Sequence, residues 1–312
     1  MSLALVFPGQ GSQSVGMGKA LYDAYSQSRD VFAEVDEALG EKLSTLIFEG
    51  PIEELTLTAN AQPALMAVSL AAIRALESEG FAVADASFAA GHSLGEYSAL
   101  AATGAFTITD TAKLLRIRGN AMQEAVPEGE GAMAAILGLD MDSVKGLCGA
   151  AAEGSVCEPA NDNGGGQIVI SGSKAAVERA IALAPERGAK RAIPLFVSAP
   201  FHCALMLPAA ERMAEALKDA SISAPAMPVI SNVAADATSD PEVIRKRLVE
   251  QVTGAVRWSE SMLFAAENGV TELAEVGAGK VLSGLARRID KRLSAKPVGT
   301  PDDIATFLKD RG

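Results

Sequence analysis

The chain has 312 residues, 49% of them hydrophobic and 21% charged, the balance of a globular protein with ample core. Its formal net charge of −12 excludes a general nucleic-acid binder, because neutralising phosphates takes clustered Lys and Arg. Three cysteines (Cys148, Cys157 and Cys203) form an odd set without metal-ligand spacing, which points to a reducing compartment and no metal site.

Met1 to Phe7 lacks a basic region, so no signal peptide is expected. The longest apolar stretch, Ala64 to Ala75, is too short to span a bilayer. A cytoplasmic protein without membrane partners is expected. Leu3 to Phe7 reads as a buried strand that ends at Pro8-Gly9. Helical periodicity follows over Gly18 to Leu39 and Ala61 to Glu79, with Pro63 in a first turn. Phe88 to Ala90 is a brief strand; helices run from Ser93 to Thr103 and from Asp110 to Ala125. Strands alternating with helices predict an α/β fold with a mostly parallel sheet.

The texture changes after Pro127. Strands at 132–137, 155–160, 167–171 and 190–197 and helices at 141–152 and 174–186 are in the order βαββαβ, the ferredoxin-like pattern. The expected organisation is a large discontinuous domain, residues 1–127 and 198–312, with a small domain inserted at 128–197. Gly164-Gly165-Gly166 opens a strand rather than a helix, so a hairpin turn is expected there and not a phosphate cradle. Beyond Pro208, helices are expected at 208–219, 241–251, 259–267 and 280–291, and strands at 228–232, 270–276 and around Val298.

Gly91-His92-Ser93-Leu94-Gly95-Glu96 has a serine with glycines two residues before and two after. That spacing fits a strained strand-to-helix turn that lifts a hydroxyl out of a sheet. The same residues also spell a capping box, Ser93 to Glu96. A cap does not need both glycines, and glycine in a first turn costs roughly 0.5–1 kcal/mol relative to alanine. A nucleophile at Ser93 is therefore preferred. It needs a base, and the chain has only two histidines. His92, the chain neighbour, is poorly placed to reach back, which leaves His202.

Arg118 lies on the apolar stripe of its helix, four residues after Leu114 and four before Met122. An inward guanidinium needs an anion, either an internal acid or a substrate carboxylate gripped in bidentate fashion. Arg116, on the other face, is expected in solvent. Phe7 to Gln13 places glycines on both sides of Gln10. Its backbone N–H, with that of Leu94, is a candidate for an oxyanion hole.

Phe7 to Gln13, Gly91 to Glu96, Arg118-Gly119, Phe201-His202 and Glu275-Val276-Gly277 together resemble the malonyl-CoA:acyl-carrier-protein transacylase family over essentially the whole chain. The resemblance implies an α/β-hydrolase-like large domain carrying the ferredoxin-like insertion. It also implies malonyl transfer from malonyl-CoA to a carrier protein's phosphopantetheine thiol, in a ping-pong reaction through malonyl-Ser93. His202 would be the base, Arg118 the malonyl carboxylate's partner, and Gln10 and Leu94 the oxyanion donors. Gln251 would orient the histidine through its backbone carbonyl. No metal or redox cofactor is implied, and a monomer is expected. Phe201, where serine is frequent, favours malonyl over methylmalonyl; Ala278 replaces a usual proline. Cys203 reads as a small buried residue, not a nucleophile. The alternatives are a serine α/β-hydrolase or thioesterase, whose histidine would lie nearer the end of the chain, and a non-catalytic carrier-docking subunit. Arg187, Lys190 and Arg191, or Arg287, Arg288, Lys291 and Arg292, are candidates for docking an acidic carrier.

Overall fold

The computed structural model describes residues 2–311, so the expected outer limits, Met1 and Gly312, lie outside the described residues. Among the described residues ten strands form two sheets. The larger contains β1 (Ser2–Phe7), β2 (Phe88–Gly91), β7 (Val229–Ile230), β8 (Ala237–Thr238), β9 (Val270–Val276) and β10 (Ser294–Val298). Their order is β10-β9-β1-β2-β7-β8, parallel throughout except for the β7–β8 pair at one edge. β1 is central and buried on both faces along almost its whole length, as an apolar run in a parallel sheet must be.

The smaller sheet contains β3 (Gly131–Leu137), β4 (Cys157–Asp162), β5 (Gln167–Ser173) and β6 (Arg191–Leu195), in the order β4-β5-β3-β6. All its pairs are antiparallel. Helices Met141–Ala152 and Lys174–Leu183 lie between its strands in sequence, so the expected ferredoxin-like connectivity is the one observed. Gly164, Gly165 and Gly166 all have positive φ in the β4–β5 connection. The triplet is therefore the hairpin turn.

Several elements depart from expectation. The helix expected from Gly18 to Leu39 is two, Lys19–Ala24 and Ser26–Leu39, broken at an extended Tyr25. The break is tolerated because Arg29 donates to the freed carbonyls of Tyr22 and Asp23. The second long helix starts earlier, spanning Thr58–Ser78, because the Leu57 carbonyl accepts from Asn60 and Ala61. Pro63 therefore lies inside the helix rather than in its first turn. Helices Leu43–Glu49, Ile52–Thr56 and Pro301–Lys309 were not expected. The last carries a legible signal, a Thr300–Asp303 capping box with Pro301 in the first turn.

The loops after β1, β2, β7 and β9 all leave the carboxyl ends of parallel strands, where open α/β sheets bind ligands. Two glycines make the closest crossing there. A Cβ on Gly91 would lie 1.9 Å from the Gly95 backbone, and one on Gly95 would lie 2.3 Å from the Phe7 carbonyl oxygen. The turn closes on itself and against β1 only without side chains. Gly91→Ala and Gly95→Ala should each destabilise the fold by at least about 3 kcal/mol. Gly149→Ala, on an exposed helical position with open space around it, should stabilise by roughly 0.4–1 kcal/mol. Chemical denaturation of the three variants checks the contrast.

Candidate active site

Ser93 follows β2 at φ +53°, in the left-handed region. It is not a cap. The helix after it spans Gly95–Ala102 and has no side-chain cap bond, and Glu96 turns inward, 4% exposed. The elbow is braced by Asn232, which follows β7. Asn232 Oδ1 accepts from the Ser93 N–H at 2.7 Å, and its Nδ2 donates to the Gly91 carbonyl at 2.7 Å. A left-handed non-glycine residue costs about 1–3 kcal/mol, and these bonds hold it.

His202 reaches the same point from a distant segment, with Nε2 2.7 Å from Ser93 Oγ. Its φ is +58°. Nδ1 donates to the carbonyls of Gln251 at 2.9 Å and Gly254 at 3.1 Å. Carbonyls only accept, so the proton sits on Nδ1 and Nε2 is left as the acceptor for the serine hydroxyl. These two carbonyls belong to the end of helix Pro241–Thr253, where the last carbonyls lack helical partners. The expected backbone contact of Gln251 is therefore present. His92 turns away, with Nε2 2.9 Å from Asn163 Oδ1 and its ring tilted on Trp258.

Arg118 is 1% exposed, inside the fold as its stripe predicts. Its guanidinium donates to Gln62 Oε1 at 2.8 Å, Gln251 Oε1 at 2.8 Å and Ser93 Oγ at 3.1 Å. Among the described residues no carboxylate lies within ion-pair distance, so the internal salt bridge is not formed. Burial lowers the guanidinium from its ordinary value, and Tyr97 and Glu96 offset this. Arg116, by contrast, pairs with Glu41 and donates to Asn60.

A cleft of about 330 Å³ opens in front of Ser93, between the two sheets. Gln10, Leu94, Arg118, Phe201 and His202 line one side; Met133, Ala135, Asn161 and Val169 of the smaller sheet line the other. Among the described residues, neither the Gln10 nor the Leu94 backbone N–H has a protein acceptor. Both are free to receive a ligand oxygen. A second cavity of about 370 Å³ shares Gln10, His92, Asn163 and Gln167 with the first and continues to Lys280 and Arg288.

Sequence reasoning did not identify Asn232, Gln62 or the inward role of Glu96. Glu275 holds the N-terminus of helix Val281–Ile289, accepting from the Leu282 and Ser283 N–H groups at 2.9 and 2.7 Å. Cys203 is fully buried, with Sγ donating to the Pro200 carbonyl.

A strained serine, a histidine of fixed tautomer, free backbone donors and an inward cation define a serine acyl-transfer enzyme. The acyl transferase domain family matches residues 4–294, and the chain belongs to it. The malonyl CoA-acyl carrier protein transacylase of Bacillus subtilis (strain 168) is 50% identical over 308 residues, 98% of this chain and 96% of the relative. The crystal structure of an acyl-carrier-protein-S-malonyltransferase from Bartonella henselae is 58% identical, with a TM-score of 0.97 over 99% of both chains. A malonyl-transacylase in complex with its type II PKS acyl-carrier protein is 45% identical, with a TM-score of 0.96 over 99% of this chain and 100% of that one.

Burial and the Arg118 charge push the His202 imidazole down to about 3. A lowered value keeps the ring neutral, and so able to take a proton, at every pH well above 3. With only two histidines in the chain, the titration can be read directly by NMR. The His202 ring signals, assigned by comparison with His202→Ala, should stay constant from pH 8 to pH 5. A midpoint near 6.5 would contradict the arrangement.

Proposed function

We propose that this chain transfers the malonyl group from malonyl-CoA to the phosphopantetheine thiol of an acyl carrier protein, through a malonyl-Ser93 ester. The observation that carries this reading is that Ser93 Oγ meets both His202 Nε2, at 2.7 Å, and the unpaired Arg118, at 3.1 Å. The first contact makes a nucleophile. The second supplies a site for an acyl group that bears its own carboxylate, which an esterase acting on neutral chains would not need.

His202 Nε2 takes the hydroxyl proton as Oγ attacks the thioester carbonyl. The oxyanion rests on the Gln10 and Leu94 N–H groups, each worth on the order of 10²–10³ in rate. The N-terminus of helix Gly95–Ala102 adds its positive end. As the C–S bond breaks, His202 returns the proton to the departing CoA thiolate. The carrier's thiol then loses its proton to His202 and attacks the ester carbonyl, and His202 returns that proton to Ser93 Oγ as the ester C–O bond breaks. Every proton is carried by one imidazole, and the chemistry needs no metal or redox cofactor.

The paired cavities suit a long thin substrate arm, with the acyl end at Ser93 and the phosphate end towards Lys280 and Arg288. Of the two basic clusters, the one formed by Arg287 and Arg288 at the end of helix Val281–Ile289 and by Lys291 and Arg292 just beyond it borders this groove through Arg288, which favours it over Arg187, Lys190 and Arg191 for docking an acidic carrier. The site is complete within one chain, so a monomer suffices for the reaction. Three buried free cysteines and a CoA thioester substrate support a cytoplasmic site of action. The names of the relatives, transacylases and not hydrolases, weigh against the thioesterase alternative.

Intact-mass measurement after malonyl-CoA treatment tests the reading. Wild type should carry one malonyl adduct that persists until a thiol is added, and Ser93→Ala should carry none. Arg118→Ala should lose malonyl loading while keeping acetyl loading from acetyl-CoA. Equal loss of both, or immediate release of malonate by wild type, would refute the assignment. Separately, Arg287→Glu, an exposed member of the same cluster that lines neither cavity, should raise KM for the carrier while leaving loading from malonyl-CoA intact, as steady-state kinetics would show.

A further inference from the structure

The reaction as derived gives no part to Glu96, although it is a buried acid within two hydrogen bonds of every reacting side chain. One oxygen, Oε2, accepts from Gln251 Nε2 at 2.7 Å and from the Asn232 backbone N–H at 3.1 Å. Each neighbour carries the effect onward. Asn232 holds the Ser93 N–H. Gln251 Nε2 gives its other hydrogen to the Ser93 carbonyl at 3.0 Å, and Gln251 Oε1 accepts from Arg118 at 2.8 Å.

Glu96 Oε2 accepts both of its bonds, whether or not the other oxygen carries a proton, whereas a side-chain amide has one accepting end and one donating end. An amide facing Glu96 must therefore turn its NH₂ towards the acid and its oxygen away, towards Arg118. Without Glu96 the amide loses the shorter of the two bonds that fix its orientation, and the Ser93 carbonyl alone is left to keep its NH₂ from turning against the guanidinium, donor against donor. The geometry points to Glu96 as a positioning residue: its carboxylate locks the Gln251 amide, and the locked amide holds Arg118 beside Ser93 to receive acyl groups that carry a carboxylate. The inference rests on the reading of Arg118 given above.

The two arms of the network have separable consequences. The arm through Asn232 supports the serine, so it affects every acyl group alike. The arm through Gln251 reaches the Ser93 carbonyl as well as the guanidinium, and its second end is the one that distinguishes acyl groups, so it affects malonyl more than acetyl. The ratio of the two loading rates therefore isolates the positioning role from a merely structural one.

The experiment is single-turnover acylation of the intact protein by malonyl-CoA and by acetyl-CoA, for wild type, Glu96→Ala, Glu96→Gln and Arg118→Ala. Glu96→Ala should lower the malonyl-to-acetyl ratio on the order of 10-fold, the scale of a misplaced positioning group. Glu96→Gln should restore the ratio to within about 3-fold of wild type, because one amide oxygen can accept both bonds now made to Oε2. An unchanged ratio in Glu96→Ala, or equal loss for both acyl groups, overturns the proposal. Should Glu96→Ala not fold, Gln251→Leu removes the relay amide and keeps the carbonyl that orients His202; the same two outcomes then decide. Arg118→Ala separates the two levels. If it leaves the ratio unchanged, the carboxylate-site reading fails; if it collapses the ratio while Glu96→Ala does not, only the positioning role fails.

Discussion

A guanidinium buried without a carboxylate partner is the constraint around which this site is organised. Removing a charge from water costs several kcal/mol even after relaxation, at order of magnitude. Arg118 recovers part of that from three oxygens, those of Gln62, Gln251 and Ser93. The nearest acid, Glu96, stands one amide away, and burial pushes its own carboxyl up to about 7. The protein therefore keeps the cation and its nearest acid from neutralising each other directly. In the proposed reaction the malonyl carboxylate supplies the missing anion. It would also reduce the Arg118 charge that depresses His202, making the base stronger when the right acyl group is bound.

The histidine is oriented without an acid, and the reason lies in the fold. A helix end offers carbonyls with no helical partner, and its dipole favours a nearby positive charge. The end of helix Pro241–Thr253 presents Gln251 and Gly254 to His202 Nδ1, which fixes the tautomer and steadies the imidazolium that forms during transfer. A buried aspartate in that place would add a negative charge to a region where the Arg118 charge already acts. Peptide dipoles orient the ring without competing for the cation. Ser93 and His202 are two of the four non-glycine residues with positive φ among those described, so local strain is concentrated where the two side chains must meet.

Much of this was legible in the sequence where one residue type had few ways to be satisfied. Gly91 and Gly95 bracket a turn too tight for a cap alone, and the backbone contacts bear that out. Arg118 stood on an apolar stripe, and His202 was reached because the chain has so few histidines. Gln251 entered only through family resemblance, because a backbone carbonyl leaves no mark on residue identity. Asn232 and Gln62 were invisible for a related reason: each is a single polar residue whose partners lie far away in the chain. For Glu96 the pattern Ser-x-x-Glu offers only a local cap, an alternative to the preferred nucleophile at Ser93, and no inward role; the helix starts later, at Gly95, and the acid turns inward. The break at Tyr25 was hidden because the apolar period continues through it and Arg29 repairs the carbonyls from outside the pattern.

The smaller sheet is more than a lid over this arrangement. Its β4 strand bonds to the segment that follows the histidine's support, with Val256 donating to the Ala160 carbonyl and Asp162 donating to that of Val256. Asn163 reaches His92, the neighbour of the nucleophile, and Pro200 packs where a Cβ on Gly131 would stand. A swing of the sheet would have to break backbone bonds two residues from Gly254, and so loosen His202. The far wall of the cleft is therefore held in register with the base. A fixed wall on one side and a fixed cation on the other leave acyl groups to be sorted by length and charge, and in the proposed reaction the carboxylate is the feature that the Arg118 side meets.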